Sequence, residues 1–202
     1  MRKLSLFLIV FTFVTFLSCK EEKKETTNEV NKTEEQTNTK SETPKKKKSN
    51  LGNKQVVVYL KSKSGSTAKG SLILKESNGV VYLASKFVGL SPGTHAIHIH
   101  EKADCSSPDG KSAGGHWNPT FQDHGKWGDK NGYHKGDIGN FEVDEQGQGR
   151  LEMKTDEWCI GCGDDKKDIL GKAIIVHEGA DDFVSQPSGA AGARVSCGGI
   201  IQ

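Results

Sequence analysis

The sequence contains no apolar run long enough for a comfortable membrane span and no stretch with convincing helical periodicity. A transmembrane helix needs about 20 apolar residues, whereas the apolar run near the start of the chain covers only residues 4–17. A basic excess is missing from the part that can fold, because residues 54–202 hold 17 basic and 19 acidic side chains. These absences argue against a membrane-spanning helix and against a nucleic-acid-binding protein.

The first 18 residues have the form of a secretory signal peptide, because Arg2 and Lys3 precede the apolar run. The run ends in Leu-Ser before Cys19, and a small residue followed by cysteine resembles the cleavage site of bacterial lipoproteins, whose cysteine is lipidated. We therefore expect a lipid-anchored protein of the bacterial cell envelope, facing either the periplasm or the cell surface. An ordinary secretory signal with a chance cysteine is the alternative.

Residues 19–53 are predicted to be the lipidated cysteine and a disordered tether. Between residues 20 and 50, Val30 is the only aliphatic side chain, among nine lysines and seven glutamates. Such a segment cannot bury enough apolar area to offset its chain entropy. The lysine run at residues 45–48 is interpreted as solvated spacer, with anionic headgroups or nucleic acid as the alternative partners.

Residues 54–202 carry the alternation and turn signals of an all-β domain. Asn78-Gly79 and residues 144–147 are turn signals of the kind that close hairpins. Many short strands separated by Gly-rich turns favour a sandwich or barrel. The predicted strands cover residues 55–61, 70–75, 79–87, 94–101, 139–143, 149–154, 172–177 and 193–197.

Two long connections, residues 102–138 and 178–194, interrupt the predicted strands. Loops of this length in a compact domain are usually functional, and six of the seven histidines lie in or beside them. His98 and His100 stand two apart on a strand, so both side chains leave the same face. Imidazole suits copper and zinc, so six imidazoles and one aspartate can furnish two adjacent metal sites.

His95 is the seventh histidine, and it stands an odd number of positions from His98. Its side chain should therefore leave the opposite face of the strand. We expect it to hold the long loops by hydrogen bonds rather than to bind metal.

Five motifs occur in a fixed order along this part of the chain. They are His-Ile-His-Glu (98–101), Gly-Gly-His-Trp-Asn-Pro (114–119), His-Lys-Gly-Asp-Ile-Gly-Asn (134–140), Val-His-Glu-Gly-Ala-Asp-Asp (176–182) and Gly-Ala-Arg-Val-Ser-Cys-Gly (192–198). Together they resemble the copper–zinc superoxide dismutase family over roughly residues 54–202. The position of Cys105 and the Leu-Ser-Cys19 ending of the signal-like segment resemble its bacterial extracytoplasmic lipoprotein members. A lone His-x-His would be weak evidence, whereas five motifs in order are specific.

The resemblance implies an all-β fold, an eight-stranded Greek-key barrel of immunoglobulin-like architecture, with two long functional loops. It also implies one copper and one zinc per chain, with one histidine shared between them. The implied copper ligands are His98, His100, His116 and His177. The implied zinc ligands are His116, His124, His134 and Asp137, a closed and therefore structural set.

The activity that the resemblance implies is dismutation of superoxide to oxygen and hydrogen peroxide by alternating reduction and oxidation of copper. His116 is implied to leave copper and take up a proton when copper is reduced. Arg194 is implied to stand beside copper and attract the anion, since a guanidinium offers fixed donors without competing as a ligand. Asp181 is implied to hydrogen-bond one histidine of each set and so to fix both rings, whereas Asp182 is expected to be solvated.

The chain has five cysteines. With Cys19 assigned to lipid, the resemblance implies a disulfide between Cys105 and Cys197. Cys159 and Cys162 stand outside the family pattern. Because export leads to an oxidising compartment, we expect them to form a small-loop disulfide, with a metal-acquiring thiol pair or redox motif as the alternative.

Three kinds of function are compatible with parts of this pattern. A dismutase is favoured over a copper or zinc buffer without important turnover, because a buffer needs no anion-guiding Arg194. A purely structural adhesin fits the fold alone, but the ligand set argues against it. A homodimer is compatible with the resemblance, but the family's dimer interface differs between bacterial and eukaryotic types, so the sequence assigns neither the oligomeric state nor an interface.

Overall fold

The computed structural model describes residues 53–202 of the chain. The predicted signal peptide, Cys19 and the tether up to residue 52 lie outside the described residues. No helix within the described part is long and apolar enough to cross a bilayer.

Eight antiparallel strands close into one barrel, and residues 53–202 contain no α-helix, only a short 3-10 turn at Lys111–Ala113. The all-β prediction is confirmed, and every predicted strand is present within two residues of its predicted ends. The strands are β1 (Lys54–Ser62), β2 (Lys69–Ser77), β3 (Val80–Val88), β4 (Gly93–His100), β5 (Gly139–Val143), β6 (Gly149–Thr155), β7 (Ala173–His177) and β8 (Arg194–Gly199).

Around the barrel the strands follow the order β1-β2-β3-β6-β5-β4-β7-β8. Within this order, two pairs of neighbouring strands are not consecutive in the chain: β3 pairs with β6, and β4 pairs with β7. These crossovers are of the Greek-key kind. They place β4 between β5 and β7, so the strand that carries two of the histidines lies beside the strand that ends in a third.

Side chains on β4 are buried on both faces of the sheet. Ile97 and Ile99 belong to the apolar core inside the barrel, while His98 and His100 leave the outer face, as the period of two requires. The connection between β4 and β5 covers that outer face, and Gly136 donates its N–H to Trp117 while accepting from Ile99. A Cβ on Gly136 would lie 2.3 Å from the Ile99 carbonyl oxygen, so glycine is required there.

Both predicted long connections are present, one between β4 and β5 and one between β7 and β8. Residues 156–172, between β6 and β7, form a third one. It contains no histidine and is organised by its own hydrogen bonds and by three side chains that enter the core, Trp158, Ile160 and Ile169. Such anchoring depends on tertiary packing, which the local pattern of the sequence does not display.

Candidate metal centre

Four histidines from three parts of the fold converge on the outer face of β4. His98 and His100 lie on β4, and His177 ends the neighbouring β7. His116 comes from the β4–β5 connection, which pairs with the end of β4 through a His100–His116 bridge. One ligand atom from each of the four lies within 4.8 Å of the others, and all four residues are buried.

Each of these rings has one nitrogen with a protein partner. The Nδ1 atom of His100 contacts the Gly114 carbonyl at 3.0 Å, and that of His177 contacts the Gly192 carbonyl at 3.3 Å. His98 uses Nε2, which contacts Asp181 at 2.8 Å. These contacts fix the orientation of each ring and leave the other nitrogen facing the centre.

The inward nitrogens have no hydrogen-bond partner. Across residues 53–202, the buried side-chain polar atoms without a partner all belong to six histidines. Unpaired buried polar groups are rare and costly, so six of them side by side call for an ion. The donors fit the metals that imidazole suits. The unpaired atoms are His98 Nδ1, His100 Nε2, His116 Nε2, His124 Nδ1, His134 Nδ1 and His177 Nε2.

Burial favours the neutral form of His100, His116 and His177 in the metal-free protein. Burial, followed by the charge of His98, lowers the pKa of His177 to about 3. Burial also lowers the pKa of His116 to about 4, against the opposing hydrogen bond with Asp137. The pKa of His100 lies well below its usual value, first because of burial and then because of His116. Neutral imidazole is the form that binds a metal ion.

The second donor set lies entirely within the β4–β5 connection. The Asp137 carboxylate lies 2.8 Å from His116 Nδ1, 3.0 Å from His124 Nδ1 and 3.2 Å from His134 Nδ1. The contacts to His124 and His134 are close but are not hydrogen bonds, so both Nδ1 atoms lack a hydrogen-bond partner. Ligands of a tetrahedral zinc ion stand about 3.3 Å apart, given bonds of about 2.0 Å. The spacing therefore fits four ligands of one ion.

Charge in this second set is balanced by Asp137. Burial would raise the pKa of Asp137, but its contacts with His116, His124 and His134 outweigh burial and bring that pKa well below its usual range. Burial would lower the pKa of His124, but the carboxylates of Asp137 and Asp181 outweigh it and raise that pKa to about 9. Both carboxylates therefore favour the doubly protonated form of the His124 ring in the metal-free protein, and metal binding at Nδ1 requires loss of the proton from that atom.

Asp181 joins the two donor sets. One carboxylate oxygen lies 2.8 Å from His98 Nε2 and the other lies 2.9 Å from His124 Nε2. Burial would raise the pKa of Asp181, but these two contacts lower it, so the carboxylate stays ionised. The structure thus brings Asp181 to the place that the resemblance implied, whereas Asp182 is exposed.

Two further residues hold Asp181 in place, and the sequence did not single them out. The Asn140 side chain exchanges two 2.8 Å hydrogen bonds with the backbone of Asp181. Gly189 passes so close that a Cβ there would lie 1.8 Å from an Asp181 carboxylate oxygen and 2.7 Å from His124 Nε2. Asn140 is the last residue of one of the five motifs and could have been identified from it, whereas Gly189 lies in none of the motifs.

His95 contributes to neither donor set. Its Nδ1 lies 2.8 Å from the His177 carbonyl oxygen, and its Nε2 lies 2.8 Å from the Ser91 carbonyl oxygen. The ring therefore links the turn before β4 to the end of β7, where the β7–β8 connection begins. Its side chain shares the inward face with Ile97, as the odd spacing predicted.

Arg194 opens β8 and is the cross-strand partner of His177, next to a β-bulge. Bulges often re-aim side chains near active sites. The Arg194 guanidinium donates to the Gly110 carbonyl at 2.9 Å. It also lines a cavity of about 330 Å³ whose wall includes His116, His134 and Glu101, so a fixed positive charge faces the space beside the shared histidine.

Both predicted cysteine pairs are disulfide-bonded in the structure. Cys105 and Cys197, with Cα atoms 5.8 Å apart, join the β4–β5 connection to β8. Cys159 and Cys162, with Cα atoms 6.0 Å apart, close a small loop in the third long connection. The first bond fastens the segment that carries the second donor set to the barrel.

Known proteins share both the sequence pattern and the fold. Residues 68–200 match the family model of copper/zinc superoxide dismutase. The superoxide dismutase [Cu-Zn] 2 of Aquifex aeolicus is 36% identical over 135 residues, which are 65% of this chain and 78% of that protein. The superoxide dismutase-like protein YojM of Bacillus subtilis is 37% identical over 141 residues, which are 66% of this chain and 70% of that protein.

Solved structures agree with these relatives. A superoxide dismutase-like protein from Bacillus subtilis superposes with a TM-score of 0.65 at 34% identity, covering 74% of this chain and all of the other. The clock protein EA4 superposes with a TM-score of 0.63 at 33% identity, covering 73% of this chain and 94% of the other.

Proposed function

The chain belongs to the copper/zinc superoxide dismutase family, and we propose that it is an active dismutase. Two superoxide anions and two protons give one oxygen and one hydrogen peroxide. Some relatives carry names that say only superoxide dismutase-like, so the proposal rests on this chain's own residues. The observation that carries it is the pair of complete donor sets that share His116, with Arg194 on the wall of the adjoining cavity.

In this proposal His98, His100, His116 and His177 hold one copper ion, and His116, His124, His134 and Asp137 hold one zinc ion. Bound copper supplies the one-electron couple that dismutation needs, and bound zinc closes the β4–β5 connection. His116 turns Nδ1 toward Asp137 and Nε2 toward the copper set. Its Nε2 is therefore the atom at which a proton is held and passed to the reduced product.

Arg194 guides and orients the anion. Its guanidinium is fixed by the Gly110 carbonyl and offers donors to a small oxyanion without binding the metal itself. Residues 182–193 contain no lysine, so that stretch adds no cationic side chain to the charge of Arg194. A protein that only buffers copper or zinc would not require a guanidinium in this position.

The proposal is tested by metal analysis combined with a direct superoxide-consumption assay on the mature protein. We expect one copper and one zinc per chain and rapid consumption of superoxide. A protein that binds both metals in full but consumes superoxide no faster than free solution would be the buffer rather than the enzyme.

Substitution at Arg194 tests the guidance role separately. Arg194→Glu should lower the rate of superoxide consumption by roughly tenfold or more, the scale of electrostatic effects on the encounter of small ions. Metal content and melting temperature should change little. Arg150→Glu, an equal charge change on exposed β6, is the matched control, and equal rates in the two variants would remove the guidance role.

We further propose that the protein acts in the bacterial cell envelope, anchored by a lipid on Cys19 after removal of residues 1–18, with the domain in the periplasm or on the cell surface. The support is the signal-like start of the sequence and its Leu-Ser-Cys ending. Mass spectrometry of membrane-extracted protein should find an acylated N-terminal Cys19. Unmodified mature protein in the soluble fraction would contradict the anchor.

A further inference from the structure

Cys159 and Cys162 take no part in either histidine donor set. They lie in the third long connection, where Cys159 is buried and Cys162 is exposed to solvent. A thiol reagent can therefore reach the bond at the sulfur of Cys162. What the pair can do after its bond opens depends on whether the loop keeps its shape without the bond.

The loop is held by hydrogen bonds that do not involve sulfur. The Asp168 carboxylate accepts three backbone N–H groups, from Gly161 at 2.8 Å, Gly163 at 2.9 Å and Leu170 at 3.0 Å. The Cys159 backbone pairs with the returning chain, donating to the Lys167 carbonyl at 2.8 Å and accepting from Ile169 at 3.0 Å. These contacts span the whole turn, so Asp168 fixes its path.

The same loop is fastened to the barrel at Ile160, between the two cysteines. The Ile160 side chain is fully buried, and its N–H donates to a Glu76 carboxylate oxygen of β2 at 2.8 Å. Its carbonyl accepts from the Lys54 ammonium of β1 at 2.6 Å. Reduction of the disulfide therefore leaves both cysteines on an ordered scaffold and near each other.

The donors available at this place select the kind of ion. Both sulfurs and an Asp168 oxygen lie within 4.8 Å of one another, but the Asp168 carboxylate already accepts three of the about four hydrogen bonds that it can take. The two thiolates are therefore the principal donors. Even with Asp168 the set has fewer than the four ligands of a closed zinc site, and thiolate favours soft ions such as copper(I). The Asp164 N–H points at Cys162 Sγ at 3.4 Å, which favours the thiolate form.

We propose that Cys159 and Cys162, after reduction of their disulfide, bind one copper(I) ion through two thiolates. An external dithiol reductant supplies two electrons and two protons. The Cys159–Cys162 bond breaks to give two thiols, and the reductant becomes a disulfide. Binding of copper(I) then releases both thiol protons to solvent. The site is separate from the histidine donor sets and needs no change in them.

The test titrates copper(I) into mature protein whose histidine sites have been filled beforehand, under anaerobic conditions against a chromophoric copper(I) chelator. Alkylation mapping first identifies the free thiols. Reduced wild-type protein should take up one additional copper(I) per chain, and oxidised protein should take up none. The reduced Cys159→Ser, Cys162→Ser variant should lack this additional uptake, and any copper(I) that it takes up at Cys105 and Cys197 is subtracted from the wild-type value.

The scaffold is tested with a matched pair of variants. Asp168→Asn weakens the three N–H contacts, so its copper(I) affinity should fall about tenfold through lost preorganisation. Asp165→Asn removes an equal charge from an exposed neighbour and should leave the affinity unchanged.

Equal uptake in reduced wild-type protein and the double serine variant would overturn the site, as would no uptake once both thiols are shown to be free. Equal affinities in the two aspartate variants would overturn the role of Asp168. Superoxide consumption and native metal content are measured on the same samples, so failure of this inference is distinguishable from failure of the proposed dismutase function.

Discussion

The two donor sets share His116 but are built in different ways. Three of the four histidines proposed for copper lie on barrel strands, two on β4 and one at the end of β7. The four residues proposed for zinc all lie in the single β4–β5 connection. The first set is therefore held by the sheet, while the second depends on a loop that its own ligands close.

The two sites therefore owe their rigidity to different parts of the fold. Backbone pairing between β4 and β7 holds the two strands that carry His98, His100 and His177. On the zinc side the Asp137 carboxylate gathers three rings and also accepts the backbone N–H groups of Gly125 and His134. Loss of Asp137 should therefore disturb the loop, and with it the zinc site, far more than the copper site.

The largest expected effect comes from Asp137→Ala. Zinc affinity should fall by more than about 100-fold, beyond the range known for partners that only support a ligand, and protease sensitivity of the β4–β5 connection should rise. Copper content should fall much less. Metal analysis and limited proteolysis check this, with Asp123→Ala, an exposed acid of the same connection, as control. Full zinc retention would refute the ligand assignment.

A smaller effect is expected at Asp181, which touches both sets. Asp181→Ala frees one ring of each set, so zinc affinity should fall about 10- to 100-fold, and copper affinity should fall less because β4 still holds His98. Asp182→Ala, an exposed neighbour, should change neither. Chelator competition for each metal measures this, and identical zinc affinities in the two variants would show that Asp181 does not link the sets.

The smallest effect on either metal set is expected from Cys159→Ser, Cys162→Ser. Superoxide consumption should stay near normal, because neither cysteine contacts a donor. Stability should fall by no more than about 2 kcal/mol, since closing so short a loop removes little chain entropy, against about 4–5 kcal/mol for the 92-residue separation of Cys105 and Cys197. Denaturant unfolding measures the difference, and loss of copper from the histidine sites would show that the pair delivers metal to them.

Much of the fold was predictable because its signals are local. Alternation marked the strands, and turn residues such as Asn78-Gly79 marked their ends. The donor residues were predictable because their motifs keep type and spacing together. The sequence did not single out Asn140, Gly189 or Asp168. Asn140 and Gly189 act on Asp181, which is distant from Asn140 in the chain and reached from Gly189 only through the fold of the loop, and Asp168 acts within its own turn. Such contacts produce no periodic pattern in the sequence.

The all-β class and the strand positions could be predicted from the chain alone, because the period of two is a local property. The resemblance to the dismutase family, carried by motifs that keep residue type and spacing together, added the six histidines and two aspartates proposed for the metal centre. The folded structure was needed to show that β4 lies beside β7, that the β4–β5 connection covers the outer face of β4, and that Asp181 contacts both donor sets. These depend on which distant segments pair, and therefore on packing of the whole barrel rather than on any local stretch.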